Sequence, residues 1–163
     1  MIKDQTNSFA FVLGALGTLI FGVAHAQETP TSRRNRGVIV YQSKEFESFS
    51  TEKQFAKIIS RARRQNTLQR DANGSWPFHF MAFMKTAPGS TNVNLVWYKL
   101  GKGKPEQIDF TEFTVSPNEL TLRAQSVIRP EQGFTTGSQY EARITRLVDG
   151  KEVVYARCKV KLK

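Results

Sequence analysis

Apolar and polar positions follow a helical period in one stretch of the chain. Thr51 and Gln54 have the spacing of a capping box, in which each side chain bonds a free backbone N–H at the start of a helix. Apolar residues then recur at positions i, i+3, i+4 and i+7, namely Phe55, Ile58, Ile59 and Ala62. The pattern predicts an amphipathic helix over about residues 51–66 that packs its apolar side on the rest of the domain.

Most of the remaining chain has the pattern of short β-strands. A β-branched run at Gly37–Gln42 predicts the first strand. Asp149 and Gly150 separate two further apolar segments and predict a tight hairpin. The other predicted strands, divided by turn residues, cover residues 76–85, 93–100, 107–115, 119–127, 139–148 and 152–162. This arrangement favours a mainly β fold, an antiparallel β-sandwich with one N-terminal amphipathic helix packed on it.

Residues 1–26 have the pattern of a cleavable bacterial signal peptide. Phe9–Val23 is an uncharged run of fifteen residues, shorter than the roughly 20 residues that a membrane-spanning helix needs. Ala24-His25-Ala26 then fits the small-residue requirement of a signal peptidase. We therefore expect cleavage after Ala26 and a periplasmic or secreted protein. Asp4 offsets the charge of Lys3, which leaves an uncleaved membrane anchor as the alternative.

Basic residues outnumber acidic ones and are concentrated early in the chain. The 24 Lys and Arg against 14 Asp and Glu give a net charge of +10. Residues 31–70 hold ten basic residues and three acidic ones. Residues 27–36 lack apolar side chains and contain Pro30, which predicts a flexible basic tether before a single domain at 37–163.

The cations of the tether and of the predicted helix are the candidate binding residues. They are expected to hold an anionic glycan or an anionic lipid surface by charge attraction, and a merely solvated helix face is the alternative. Nucleic acid is disfavoured as a partner because no aromatic residue interleaves the basic run as base stacking requires. The candidates are Lys53, Lys57, Arg61, Arg64, Arg33, Arg34 and Arg36.

Two local patterns in residues 76–163 resemble immunoglobulin-like or fibronectin type III-like sandwiches. Trp97 lies in an apolar strand where such folds place a core tryptophan. Gly137–Ala142 is similar to the corner at which a tyrosine, here Tyr140, enters the penultimate strand. Ala142 occupies the position of the usual disulfide cysteine, so an antibody-type cystine is excluded. The resemblance implies a noncatalytic recognition or structural module and names no ligand.

No combination of side chains in residues 27–163 has the pattern of a catalytic or metal site. His79 is the only histidine there and Cys158 the only cysteine, too few ligands for structural zinc. Asp109 and Glu112 are separated by an odd number of positions, so a regular strand would place them on opposite faces. We expect no cofactor, no metal, no enzymatic activity and no intrachain disulfide.

These observations predict an exported, noncatalytic binding or assembly module of the bacterial cell envelope. In this interpretation, a protein partner contacts a sheet edge or the helix face, and strand addition is one route. The alternative is an electrostatic binder of an anionic envelope polymer or membrane surface through the basic helix. A hydrolase ranks third. The ligand, the oligomeric state and the exact compartment stay open.

Overall fold

Strands dominate residues 28–163, the part of the chain that the computed structural model describes. Two helices, α1 (Pro30–Arg34) and α2 (Glu52–Arg63), and a 3₁₀ turn (Pro130–Gln132) accompany eight strands. The strands are β1 (Val38–Gln42), β2 (Thr67–Leu68), β3 (Trp76–Phe83), β4 (Asn92–Leu100), β5 (Glu106–Thr114), β6 (Thr121–Ile128), β7 (Gln139–Val148) and β8 (Lys151–Leu162). The mainly β class predicted from the sequence is confirmed.

The predicted signal peptide, its cleavage site and the alternative membrane anchor fall on residues 1–27 and lie outside the described residues. Within residues 28–163, no helix is long and apolar enough to span a membrane.

The eight strands form one hydrogen-bonded sheet in the order β5–β4–β7–β8–β1–β3–β6, with β2 attached to β8. Neighbouring strands are antiparallel except where β1 and β2 run parallel to β8. β1 meets β8 at a single residue pair, Val38 with Arg157. β5 and β6 are the two edge strands. The immunoglobulin-like sandwich type is a finer assignment that stays a prediction.

The sheet curls so that aromatic side chains from distant strands meet inside it. Phe78 of β3 contacts Trp97 of β4 edge to face, with ring centroids 4.8 Å apart, although three strands separate β3 from β4 in the sheet. Phe80 likewise contacts Phe113 of edge strand β5 at 5.6 Å. Trp97 is fully buried, and truncating such a residue to alanine costs about 3–5 kcal/mol.

A second apolar cluster lies between α2 and the outer face of the sheet. Phe55, Ile58 and Ile59 of α2 pack against Val40 of β1 and Met81 of β3. Thr51 caps the helix, and its side chain and that of Gln54 form both bonds of the capping box. The helix ends at Arg63, earlier than the predicted residue 66. The reason is that the next two backbone N–H groups bond carbonyls three residues back, which tightens the last turn.

Residues 28–36 differ from the flexible tether predicted for residues 27–36. Thr29 caps α1, and Pro30 occupies its first turn, where a missing N–H is not needed. The backbone N–H of Thr31 donates to a carboxylate oxygen of Glu52 at 2.8 Å, which fastens α1 to the start of α2. Thr31 and Asn35 are buried as a result. The composition of residues 27–36 did not predict α1, because the docking of this helix depends on the carboxylate of Glu52, 21 positions away from Thr31.

Of the two turns that the sequence singled out, the Asp149–Gly150 hairpin has the predicted geometry. Asp149 and Gly150 both have positive φ, 50° and 75°, as a two-residue type I′ hairpin requires. At the other turn, the phenol oxygen of buried Tyr140 accepts a hydrogen bond from the backbone N–H of Thr135 at 2.8 Å. Bonds of this kind occur at tyrosine corners, and the assignment of this turn as one stays a prediction.

Candidate functional site

The outward face of α2 carries three of the predicted binding residues. Because Phe55, Ile58 and Ile59 face the sheet, helical spacing directs Lys53, Lys57 and the C-cap residue Arg64 toward solvent. All three cations are exposed. Within residues 28–163 none of them forms a salt bridge, so their charges are available to a ligand.

Arg61, the fourth predicted helix residue, lies on the flank of α2. Its guanidinium donates to a carboxylate oxygen of Glu47 at 3.1 Å. Both side chains are more than half exposed, so this ion pair adds little to stability. The carboxylate of Glu47 nevertheless offsets the positive charge of Arg61, whereas Lys53, Lys57 and Arg64 have no such partner within the described residues.

The three arginines of the N-terminal segment lie in or just after α1, which packs against α2. Arg36 bonds the carboxylate of Glu28, and this hydrogen bond lowers the pKa of Glu28. Arg33 approaches the same carboxylate at 3.8 Å, while Arg34 donates to the carbonyl of Pro30 at 3.3 Å. Since Glu28 offsets much of the charge of Arg33 and Arg36, Arg34 keeps the most available charge of the three.

Strand β8 adds a row of cations that sequence reasoning missed. Val160 and Leu162 point into the core and Cys158 packs against it. The alternate residues Arg157, Lys159 and Lys161 therefore face the outer side of the sheet, where all three are exposed. The sequence carries this signal as a strict alternation of basic and apolar residues over 157–162, which is weaker than the excess of charge in residues 31–70.

Acidic residues near this row are already paired with another cation. Arg143 of β7 donates to Glu141 at 2.5 Å and to Glu152 at 3.3 Å, and its guanidinium stacks over the ring of Tyr98 at 4.0 Å. Lys159 lies across from Glu141 in the strand pairing, yet forms no salt bridge within the described residues.

Strand β2 joins the end of α2 to the basic row of β8. It follows the helix directly and pairs with Lys161 and Leu162. The backbone N–H of Lys161 donates to the carbonyl of Asn66 at 3.0 Å, just before β2 begins. The outward cations of α2 and β8 consequently lie on the same outer side of the sheet. We call these six residues the basic surface: Lys53, Lys57, Arg64, Arg157, Lys159 and Lys161.

Groups considered for catalysis are dispersed in the described part of the chain. His79 is half-buried on β3, near Glu45 and Arg123 at a shallow cavity of about 320 Å³. Burial raises the pKa of the Cys158 thiol, which keeps it protonated and poorly nucleophilic. Within residues 28–163 no three His, Cys, Asp or Glu side chains converge in a way that would hold a metal ion.

Comparisons with known proteins give no family for this chain. No protein-family model matches it, and no curated protein matches it. The functional argument therefore depends on the geometry and charge of the described residues.

Proposed function

We propose that the protein is a noncatalytic binding module that holds an anionic polymer on its basic surface. The observation that carries this proposal is that six exposed cations, three from α2 and three from β8, lie on one side of the sheet and form no salt bridge within the described residues. Such a surface attracts polyanions through the summed field of its charges, and the attraction weakens as salt is added.

The spacing of the cations suits a polymer with repeated charges. Alternate residues of a strand lie about 7 Å apart, so the row from Arg157 to Lys161 extends over roughly 13 Å. Residues one turn apart on a helix, such as Lys53 and Lys57, are about 6 Å apart along its axis. An extended chain bearing one negative charge every few ångströms would contact several cations at once.

A polymer is favoured over a membrane surface by the location of apolar residues. An interfacial helix inserts its apolar face among lipids, but Phe55, Ile58 and Ile59 of α2 are buried against the sheet. Within residues 28–163, none of the large exposed apolar residues belongs to α2, although Phe49 stacks on Phe55 near the start of the helix. These exposed residues are Phe49, Phe110, Val127, Leu147 and Val153.

The proposed location is the bacterial cell envelope or the exterior. This part of the proposal depends on the sequence of residues 1–26, whose uncharged run and Ala24-His25-Ala26 ending support export. The ligand would then be an anionic glycan or another acidic polymer of that compartment. The immunoglobulin-like type of fold is proposed as well, with support from buried Trp97 and from the hydrogen bond of Tyr140 to Thr135.

Salt elution from an immobilised anionic polymer, such as dextran sulfate, tests the proposed function. The double variant Lys57→Gln/Lys161→Gln removes one cation from each element of the basic surface. We expect the slope of log affinity against log salt to decrease by roughly two, because each lost contact releases about one counterion fewer.

The matched control is Lys102→Gln/Lys104→Gln. It makes the same two exchanges at exposed positions of the β4–β5 turn, and we expect retention close to that of the wild type. If the two double variants lose retention equally, net charge alone governs binding and the basic surface is not the site.

A second candidate function is protein assembly through edge strand β5. The observation that favours it is Phe110, which is 61% exposed on the outer face of this nine-residue edge. An edge strand offers free backbone groups to a partner strand, and an exposed aromatic ring would add apolar contact. It ranks second because β5 also carries Glu106 and Glu112 and a bulge in its pairing with β4, which are features that protect edges.

A further inference from the structure

β1 and β8 separate after one residue pair and leave a cavity between them. Val38 of β1 pairs with Arg157 of β8. Beyond this pair, the Tyr41 hydroxyl of β1 donates to the backbone carbonyl of Lys159 of β8 at 3.0 Å, and no other side-chain hydrogen bond joins these two described strands. The C-terminal end of α2 closes one side of the opening with Ala62 and Arg63. The resulting cavity measures about 230 Å³.

Cations line this cavity, and its lining contains no carboxylate. Arg63 contributes from α2, and Arg157 and Lys159 contribute from β8. Gln65, whose side chain carries an amide donor, is also a lining residue. Arg63 is oriented by a bond from its guanidinium to the Asn35 side-chain oxygen at 3.3 Å, which uses one of its five N–H donors and leaves the others for a ligand.

The acidic side chains of the elements around the cavity are hydrogen-bonded to other groups. Glu52 accepts the N–H of Thr31, and Glu141 is bonded to Arg143. Arg63, Arg157 and Lys159 therefore line one cavity and form no salt bridge within the described part of the chain. Like charges that line one cavity repel one another, and an anion bound among them relieves that repulsion.

We infer that this cavity binds a single tetrahedral oxyanion, a phosphate or sulfate group, between the guanidinium groups of Arg63 and Arg157 and the ammonium of Lys159. Planar guanidinium groups pair with such oxyanions through two parallel hydrogen bonds. The cavity volume is several times the roughly 30 Å³ that one water takes in the liquid, so it accommodates the oxyanion with some of its hydration. The inference rests on the proposed function in one respect, since the polymer is the expected bearer of this group.

A nuclear magnetic resonance titration of the full chain with inorganic phosphate, at constant ionic strength, tests the inference. We expect a saturable shift of the backbone amides of Arg63, Arg157 and Lys159. The single variants Arg63→Gln and Arg157→Gln should each weaken phosphate binding at least about tenfold, since each removes charge-assisted hydrogen bonds to the ligand. Arg63→Lys keeps the charge but not the two-bond geometry, and should lie between Arg63→Gln and the wild type.

Lys102→Gln and Lys104→Gln are the matched controls, because these exposed cations belong neither to the basic surface nor to the cavity lining. They should leave the phosphate titration unchanged. The inference is overturned if the wild type shows no saturable shift, or if the control variants weaken phosphate binding as much as the cavity variants do. Thermal unfolding of each variant separates lost binding from lost folding.

A second arm with linear polyphosphate identifies the source of the anion. Binding of polyphosphate that requires both Arg157 and Lys57 supports a polymer-borne group in the cavity. If phosphate still binds but no anionic polymer is retained, the proposed function is refuted and the cavity is supported as a site for free phosphate. Polymer retention that depends on Lys57 and Lys161, without any phosphate titration, would overturn the cavity alone.

Discussion

Replacing Tyr140 with phenylalanine isolates the contribution of one hydroxyl to the corner between the 3₁₀ turn and β7. The ring of Tyr140 is fully buried and packs on Phe134, with centroids 4.9 Å apart. The Tyr140→Phe change keeps this packing and removes only the oxygen that accepts the Thr135 N–H at 2.8 Å. The hydroxyl of Thr135 also lies within 3.3 Å of that oxygen.

The expected cost of Tyr140→Phe is about 1–2 kcal/mol of unfolding free energy. A buried donor left without its acceptor costs about 1–3 kcal/mol, and the value belongs in the lower part of that range because Thr135 itself is exposed and water can partly replace the phenol. For a domain of this size, 1 kcal/mol corresponds to roughly 3–5 °C in melting temperature. A decrease of about 3–10 °C is therefore expected.

Tyr155→Phe is the matched control for this change. The ring of Tyr155 is also buried, but its hydroxyl lies 3.4 Å from the carbonyl of Pro88, which already accepts a bond from Arg146 at 2.8 Å. We expect Tyr155→Phe to cost less than about 0.5 kcal/mol, since no strong bond is lost and the carbonyl keeps a donor. Urea unfolding followed by tryptophan fluorescence measures both variants. Equal costs for the two variants, or a cost below about 0.5 kcal/mol for Tyr140→Phe, would refute the role given to the corner.

Two further predictions concern the N-terminal segment and the sheet edge. Hydrogen bonding from Thr31 lowers the pKa of Glu52, so the docking of α1 should be strongest above the usual glutamate pKa and weaken as pH falls through the lowered value. The chemical shift of the Thr31 backbone amide should report this loss of docking. Glu52→Gln should abolish the pH dependence of that shift, and the control Glu47→Gln should keep it. If β5 is an assembly site, Phe110→Ser should reduce the recovery of a bound protein partner in affinity capture severalfold. The control Leu147→Ser removes a similarly exposed apolar side chain and should leave the recovery unchanged. Equal effects of the two changes would argue against β5 as the assembly site.

Local sequence signals predicted much of the strand and turn content. The predicted strand at 76–85 corresponds to Trp76–Phe83, and the predicted strand at 139–148 is present with the same bounds. These segments have strong alternation or aromatic content, and the Asp149–Gly150 turn is specified by residues that accept positive φ. β2 was missed, since two residues carry no detectable period.

The features that create the candidate site depend on contacts between distant residues. α1 is held by Glu52, and β2 and β1 meet β8 at positions more than 90 residues away along the chain. No local pattern specifies such parallel pairing. The predicted cations Lys53, Lys57 and Arg64 are at the surface as expected, but their connection to Arg157 and the cavity could be recognised only from the fold.

The distribution of charges on the outer side of the sheet argues that the basic surface has a role beyond folding. Two unit charges about 7 Å apart repel by roughly 0.6 kcal/mol even in water, so the row on β8 disfavours the folded state slightly. The neighbouring strand avoids this cost, because Arg143 is surrounded by Glu141, Glu152 and the ring of Tyr98. Stability alone would favour the same compensation for Arg157 and Lys161, and also for Lys159, whose strand partner Glu141 is bonded to Arg143. The anionic ligand proposed above would supply that compensation, and the proposal thereby gives the exposed row, the outward face of α2 and the cavity between β1 and β8 one electrostatic explanation.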